Sequence, residues 1–139
     1  MEKNVIIRYA DQDDFSTLAQ YDKHICEDEL KRSIDAKRIL VLFSGDVFAG
    51  WLRYNLFWDN MPFMNMLYFE EKARGKGYGG QLVSFWEQEM AKKGYKTLLV
   101  STLSSEDGQH FFRKNGYVDC GALLLPGEPL EIILQKNLE

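Results

Sequence analysis

The chain has 139 residues, of which 45% are hydrophobic and 27% are charged, with a formal net charge of −4 at pH 7. This length predicts a single domain over residues 1–139, and the composition excludes a disordered or fibrous protein and argues against a nucleic-acid partner. Because no apolar run approaches the ~20 residues of a membrane span and the two cysteines are isolated, we expect a cytoplasmic protein with no membrane partner, disulfide framework or metal site.

The N-terminal half is predicted to contain a strand, two helices and a three-stranded meander. The β-branched run from Val5 to Tyr9 predicts the first strand. Apolar residues at helical spacing from Phe15 to Ile25, preceded by aspartates that can cap a helix, predict the first helix. A weaker helical pattern covers residues 27–35. Three strands then follow over residues 39–43, 47–56 and 63–69, separated by the turn formers SGD and WDNMP.

The C-terminal half begins with a glycine-rich stretch, ARGKGYGG, at residues 73–80. A helix follows and is predicted to end at Gly94. Residues 97–102 are predicted to form a strand parallel to the one that ends at Phe69, because a loop and a helix join the two. A short helix at 107–114 precedes strands at 117–125 and 130–136. We expect Cys120 to be buried in the first of these strands, without a nucleophilic role.

The glycine-rich stretch is the most informative segment for function. Glycines between a strand and a helix N-terminus allow main-chain N–H groups to approach a ligand closely, and the helix dipole favours a negative charge there. Arg74 and Lys76 add donors suited to phosphate oxygens. The stretch therefore predicts a bound diphosphate.

Other phosphate-binding patterns fit this stretch less well. Residues 75–80 satisfy the G-x-G-x-x-G dinucleotide fingerprint, but they follow the fourth strand of a meander, and Glu106 lies beyond the expected spacing of ~20 positions. A Walker A loop needs Gly-Lys-Ser or Gly-Lys-Thr, which is absent. A glycine-rich turn without a ligand is the remaining alternative, and the two flanking cations argue against it.

The same residues match the pattern Arg/Gln-x-x-Gly-x-Gly/Ala from Arg74 to Gly79. Together with the flanking LYFEEKARGKGYGGQLVSFWEQEMAKKGYKTLLVST and FFRKNGY, this segment resembles the GNAT superfamily of N-acetyltransferases from about Leu67 to Tyr117. The resemblance implies an α/β (α+β) fold. Its central mixed sheet would be mostly antiparallel, with six to seven strands and about four flanking helices, and would splay between strands 4 and 5.

The resemblance also implies acetyl-CoA as the cosubstrate. The main chain of the fourth strand would contact the acetyl carbonyl and the pantetheine arm, and the loop amides would bind the pyrophosphate. Ser105 stands where an asparagine often binds CoA, and Phe112 stands where a tyrosine often protonates the departing thiolate. The implied cofactor-binding residues are Leu67, Tyr68, Phe69, Arg74, Gly75, Lys76, Gly77, Tyr78, Gly79, Gly80, Ser105 and Phe112.

Transfer to an amine requires removal of a proton, because an alkyl amine with a pKa near ~10.4 is almost wholly protonated at pH 7. The weak catalytic candidates are the carboxylates Asp59 and Glu70 and the amide Asn65, which can orient a group but cannot accept the proton. No base or acid is assigned. Acidic residues near the hairpin tip favour a cationic acceptor. Five aromatic residues are expected to line the acceptor pocket or to pack in the core: Trp51, Tyr54, Phe57, Trp58 and Phe63.

The sequence thus predicts an acetyl-CoA-dependent N-acetyltransferase that acts on a primary amine of a small molecule or peptide. The alternative is a non-catalytic acyl-CoA-binding module of the same fold, which Phe112 and the unassigned base favour. An exposed final strand would support a homodimer. We expect Gly77→Val to abolish CoA binding and to leave thermal unfolding nearly unchanged.

Overall fold

The computed structural model describes residues 4–138. Seven strands and four α-helices form a mixed α/β arrangement, as the sequence predicted. Their order is β1 (Val5–Tyr9), α1 (Phe15–Tyr21), α2 (Glu27–Asp35), β2 (Ile39–Ser44), β3 (Val47–Phe57), β4 (Met61–Phe69), α3 (Tyr78–Lys92), β5 (Thr97–Leu103), α4 (Gly108–Lys114), β6 (Val118–Leu123) and β7 (Glu131–Asn137). Among residues 4–138, no helix has both the length and the apolar character needed to cross a membrane.

The seven strands form one sheet in the order β1-β2-β3-β4-β5-β7-β6. β2 pairs antiparallel with β1 and with β3, and β7 pairs antiparallel with β5 and with β6. β4 and β5 are parallel, and their register contains only the pairs Phe63–Leu99 and Met64–Val100. The predicted mixed sheet, with its parallel pair at strands 4 and 5, is confirmed, and the short register agrees with strands that splay there.

Helix α1 is shorter than predicted. It ends at Tyr21, and Asp22 is already extended, with a ψ of 99°. The predicted continuation to Ile25 is wrong because the Asp22 side chain accepts hydrogen bonds from Arg53 of β3 and from the amide of His24. A tertiary contact therefore ends this helix.

Strand β6 also differs from the prediction. It ends at Leu123, and Cys120, which we expected to be buried, is exposed. Cys120 falls where the register with β7 shifts, between Asp119 and Gly121, and β6 is the last strand in the sheet order. Local desolvation and the charge of Asp119 raise the pKa of the Cys120 thiol, which disfavours the nucleophilic thiolate.

The chain divides into two compact units. The first unit comprises the residues up to Tyr54 together with Met66–Phe85, and the second comprises Asn55–Asn65 together with the residues from Trp86 onward. The buried core of the first unit includes Leu18, Leu30, Ile34, Val41 and Trp51. Buried residues of the second unit include Leu98, Val100, Phe112, Tyr117 and Leu134. The single domain expected from chain length stays a prediction.

Candidate functional site

The glycine-rich stretch lies in the first unit and leads directly into helix α3. Gly75 and Gly77 have φ values of +75° and +82°, a left-handed conformation that glycine adopts without steric cost. The amide of Gln81 donates to the Gly77 carbonyl over 3.2 Å and closes the first helical turn. Within residues 4–138, the amides from Gly75 to Gly80 donate to no protein acceptor. This arrangement suits a bound anion.

The left-handed conformation corrects one expectation. An L-residue at Gly77 has room for its Cβ, because no heavy atom lies within 4 Å, but it must adopt the strained φ of +82°. Gly77→Val is therefore expected to lower stability as well as to affect binding, which revises the expectation that thermal unfolding would be nearly unchanged.

Two side chains, Arg74 and Tyr78, fix the loop beside the ends of β2 and β4. Arg74 Nε donates to the Phe69 carbonyl over 2.9 Å, and its guanidinium carbon lies 5.4 Å from the centre of the Tyr68 ring. The Tyr78 hydroxyl is 3.2 Å from Ser44 Oγ. Both cations, Arg74 and Lys76, are exposed. The loop thus combines unpaired amides with two accessible positive charges.

Gly50 of β3 allows the end of β4 to approach closely. A Cβ at Gly50 would lie 2.4 Å from the Tyr68 carbonyl oxygen and 2.4 Å from Phe69 Cδ1. The predicted cofactor-binding residues of β4, from Leu67 to Phe69, are half-buried beside it. Sequence analysis missed Gly50, although a glycine inside a strand pattern is a known signal of close backbone approach.

The two predicted cofactor residues Ser105 and Phe112 belong to the second unit. Ser105 is exposed in the turn between β5 and α4, where Gln109 Nε2 donates to the neighbouring carbonyls of Ser104 and Glu106. Phe112 is buried, with its ring centre 5.4 Å from that of Tyr117. These positions leave the Ser105 side chain accessible and make the Phe112 ring part of a hydrophobic core.

Tyr117 cannot replace the missing tyrosine as an acid. Its hydroxyl donates to Glu87 over 2.8 Å, and its side chain is fully buried. Burial, followed by the charge of Glu87 and this hydrogen bond, strongly raises the pKa of Tyr117. The hydroxyl therefore has a structural partner and is shielded from solvent.

The three weak catalytic candidates lie in different environments. Asp59 is exposed at the tip of the β3–β4 hairpin with a φ of +65°, and Asn65 is exposed on β4. Both belong to the second unit. Glu70 belongs to the first unit and is half-buried, and its carboxylate acts on the Tyr21 hydroxyl strongly enough to raise the pKa of Tyr21. Glu70 is thus the half-buried carboxylate among the three candidates.

The hydrogen bond to Glu70, partial desolvation and the charge of Glu70 raise the pKa of Tyr21 above its ordinary value of 10.0. Tyr21 therefore remains a protonated donor at neutral pH. Its ring centre lies 6.2 Å from that of Trp51 and 6.4 Å from that of Tyr68, and Trp51 and Tyr68 are 4.8 Å apart. The sequence contains no local signal for this cluster, because Tyr21 and Tyr68 come from distant segments.

The predicted aromatic series is divided between the units. Trp51 and Tyr54 are buried in the first unit. Phe57, Trp58 and Phe63 gather at the hairpin tip in the second unit, where Trp58 is 74% exposed. The series therefore does not form one pocket wall, and Trp51 is the member that packs beside Tyr21 and Tyr68.

A buried ion pair between Asp22 and Arg53 was also missed by sequence analysis. Arg53 Nε donates to Asp22 Oδ2 over 2.9 Å. The Arg53 side chain is 9% exposed, and the Asp22 side chain is 1% exposed. The pair connects the end of α1 to β3 and so holds Tyr21, the last residue of α1, in place. Within residues 4–138, no group of three or more histidine, cysteine or acidic side chains is arranged to hold a metal ion.

Comparisons with known proteins agree with this architecture. The sequence profile of the acetyltransferase (GNAT) family matches residues 6–117. A GNAT-family acetyltransferase from Bacillus cereus has a TM-score of 0.80 at 23% identity, covering 96% of this chain and 97% of that chain. An N-acetyltransferase from Staphylococcus aureus Mu50 has a TM-score of 0.80 at 22% identity, with 98% and 99% covered.

PaiA N-acetyltransferase from Thermoplasma acidophilum, whose structure contains coenzyme A, has a TM-score of 0.80 at 18% identity. The alignment covers 96% of this chain and 99% of that chain. At these identities, the structural matches establish a shared fold. No curated protein sequence matches the chain.

Proposed function

The chain belongs to the acetyltransferase (GNAT) family, a class of acetyl-CoA-dependent enzymes, and we propose that it transfers acetyl directly to a primary amine of a small molecule or peptide. The observation that supports this proposal is the run of unpaired amides from Gly75 to Gly80 at the start of α3. Two left-handed glycines shape the run, and Arg74 and Lys76 flank it. A pyrophosphate carries the charge and the acceptor oxygens that such a loop can bind.

The residues at the end of β4 fit the rest of the donor. In our proposal, the main chain from Leu67 to Phe69 contacts the acetyl carbonyl and the pantetheine arm. An amide N–H directed at that carbonyl stabilises the negative charge that develops on its oxygen during attack. Ser105 and Phe112 remain proposed cofactor contacts, and Phe112 contributes only apolar surface because its ring carries no proton to donate.

Glu70 is the proposed base. It takes one proton from the bound ammonium, and the neutral amine attacks the thioester carbonyl carbon. A C–N bond forms, the C–S bond breaks, and CoA leaves as the thiolate. The second amine proton passes to solvent or to the thiolate, so the products are an amide and CoA. Asp59 and Asn65, which are exposed in the second unit, have no role in this scheme.

One experiment tests binding and turnover separately. Acetyl-CoA is titrated calorimetrically into the wild type, Gly77→Ala and Gly94→Ala, and thiol release is then followed with alkyl diamines, lysine peptides and aminoglycosides. Gly94 is the matched control, because its φ of +90° and its open surroundings resemble those of Gly77 but it follows the other end of α3. Alanine should cost each site about 1 kcal/mol of folding stability.

We expect Gly77→Ala to weaken acetyl-CoA binding by about tenfold or more, and Gly94→Ala to leave the affinity unchanged. Equal affinities in the two variants would refute the assignment of the loop. Binding without thiol release on any amine would support the alternative, a non-catalytic acyl-CoA-binding module, which the buried Phe112 favours.

A further inference from the structure

We propose that Tyr21, Tyr68 and Glu70 form the acceptor site and select an alkyl ammonium group with no carboxylate on the carbon that bears the nitrogen. This inference rests on the proposed function and adds the chemical class of the acceptor. All three residues belong to the first unit and are half-buried, so they are partly accessible to a ligand.

The aromatic surface suits an organic cation. Tyr21 and Tyr68 flank Trp51, which is only 1% exposed and forms the floor of the cluster. The Trp51 Nε1 donor is buried and has no hydrogen-bond partner among the described residues. The faces of such rings attract ammonium groups and their attached methylenes, especially where water is largely excluded.

The charged groups around the cluster favour a cation over a zwitterion. Glu70 contributes a half-buried carboxylate two positions after Tyr68, and its charge acts on the Tyr21 hydroxyl. An amine that carries its own carboxylate beside the nitrogen would place two negative charges together, which is unfavourable in a half-buried site. Asp22 does not add to this charge, because Arg53 neutralises it.

Arg74 is the positive group that faces the cluster, with its guanidinium carbon 5.4 Å from the centre of the Tyr68 ring. This contact indicates that the ring attracts a cation. Arg74 is also a proposed ligand of the pyrophosphate, so a bound CoA would compete with Tyr68 for it. Acceptor binding should therefore be measured with CoA present.

Tyr21 is assigned a positioning role. The buried Asp22–Arg53 pair fixes the end of α1 and so holds the Tyr21 hydroxyl where the Glu70 carboxylate acts on it. Tyr117→Phe supplies a matched control, because Tyr117 donates to a glutamate, Glu87, but lies in the second unit. A general effect of losing a tyrosine hydroxyl that interacts with a glutamate would appear in both variants.

The binding test uses hexyltrimethylammonium, a cation with no transferable proton, titrated calorimetrically into the CoA-bound protein. We expect the wild type and Tyr117→Phe to bind it equally, and Tyr68→Leu to bind it about tenfold more weakly. Glu70→Gln, which keeps the shape of the side chain but removes its charge, should also weaken binding. Equal binding by the wild type, Tyr68→Leu and Glu70→Gln would overturn the proposed site.

The kinetic test compares alkyl diamines and lysine side chains in peptides with the α-amino groups of free amino acids. We expect the first group to have the higher kcat/KM and hexyltrimethylammonium to compete with the amine. Tyr21→Phe should lower kcat and leave the binding of hexyltrimethylammonium unchanged, because it removes the hydroxyl that faces Glu70 and keeps the aromatic ring. Tyr117→Phe should change neither. A preference for α-amino acids would overturn the inference.

The two proposals can fail separately. Tyr68-dependent binding of hexyltrimethylammonium without thiol release on any amine would support the cation site and contradict the transferase function. Thiol release that the quaternary ammonium does not inhibit would support the function and overturn the site.

Discussion

Asp14 is a buried carboxylate whose charge is compensated by residues close to it in the chain. Its oxygens accept hydrogen bonds from Arg8 over 2.8 and 3.0 Å and from the amide of Asp11 over 2.8 Å. Burial alone would raise the pKa of Asp14, but the hydrogen bonds from Arg8 and Asp11 and the charge of Arg8 outweigh it and lower the pKa below its ordinary value of 3.8. The ionised form therefore stabilises the fold.

The lowered pKa of Asp14 sets the sign of its pH dependence. Its stabilising effect is present above the ordinary aspartate pKa and is lost as the pH falls through the pKa of the folded state. We expect Asp14→Asn to reduce the free energy of unfolding at pH 7 by about 1 kcal/mol, and the difference from wild type to shrink towards pH 2.

Urea denaturation at pH 7, 4 and 2 measures this effect. Asp13→Asn is the control, because Asp13 lies in the same turn but is exposed. A constant difference between Asp14→Asn and wild type at all three pH values would contradict the assigned role of Arg8.

At the scale of elements, the contact between β3 and the end of β4 depends on Gly50. We expect Gly50→Ala to lower the free energy of unfolding by about 1–3 kcal/mol, because its Cβ would overlap the Tyr68 carbonyl and the Phe69 ring. The same shift should weaken acetyl-CoA binding, since our proposal places the donor against the main chain of β4.

Gly121→Ala is the matched control for Gly50→Ala. Gly121 is also a strand glycine, but no heavy atom lies within 4 Å of its Cβ position. Urea denaturation and calorimetric titration of both variants check the prediction. Similar unfolding midpoints would show that β4 tolerates a side chain at position 50.

The ends of helices α1 and α3 position residues of the candidate site. It begins at Tyr78, inside the glycine-rich stretch, and so places its first unpaired amides beside Arg74 and Lys76. Helix α1, by contrast, ends at Tyr21, next to the ion pair between Asp22 and Arg53. The start of α3 is therefore set by neighbouring glycines, whereas the end of α1 is set by a contact between residues far apart in the chain.

At the scale of the whole molecule, acetyl-CoA should stabilise the folded chain by binding it and not the unfolded chain. A ligand at about one hundred times its Kd contributes about 2.7 kcal/mol, which corresponds to a rise of several degrees in Tm for a chain of this size. Thermal unfolding with and without acetyl-CoA measures the rise.

The variants of the glycine-rich stretch make this measurement specific. Gly94→Ala should show the same rise in Tm as wild type, whereas Gly77→Ala should show little or none. A full rise in Gly77→Ala would contradict the proposed pyrophosphate contact, whatever the stability of the variant without ligand.

The sequence by itself determined the order of elements, the parallel pair at strands 4 and 5, the glycine-rich stretch and the family. These features depend on periodicity, turn residues and short motifs, so neighbouring residues carry the signal. The prediction of α2 over residues 27–35 agrees with the structure for this reason.

Only the tertiary structure decided where α1 ends, that Cys120 is exposed, why position 50 is glycine and which candidate carboxylate acts on Tyr21. Each answer depends on residues far apart in the chain, such as Tyr21 with Glu70 or Asp22 with Arg53. Such pairs are brought together by packing, and no local pattern in the sequence encodes their distance.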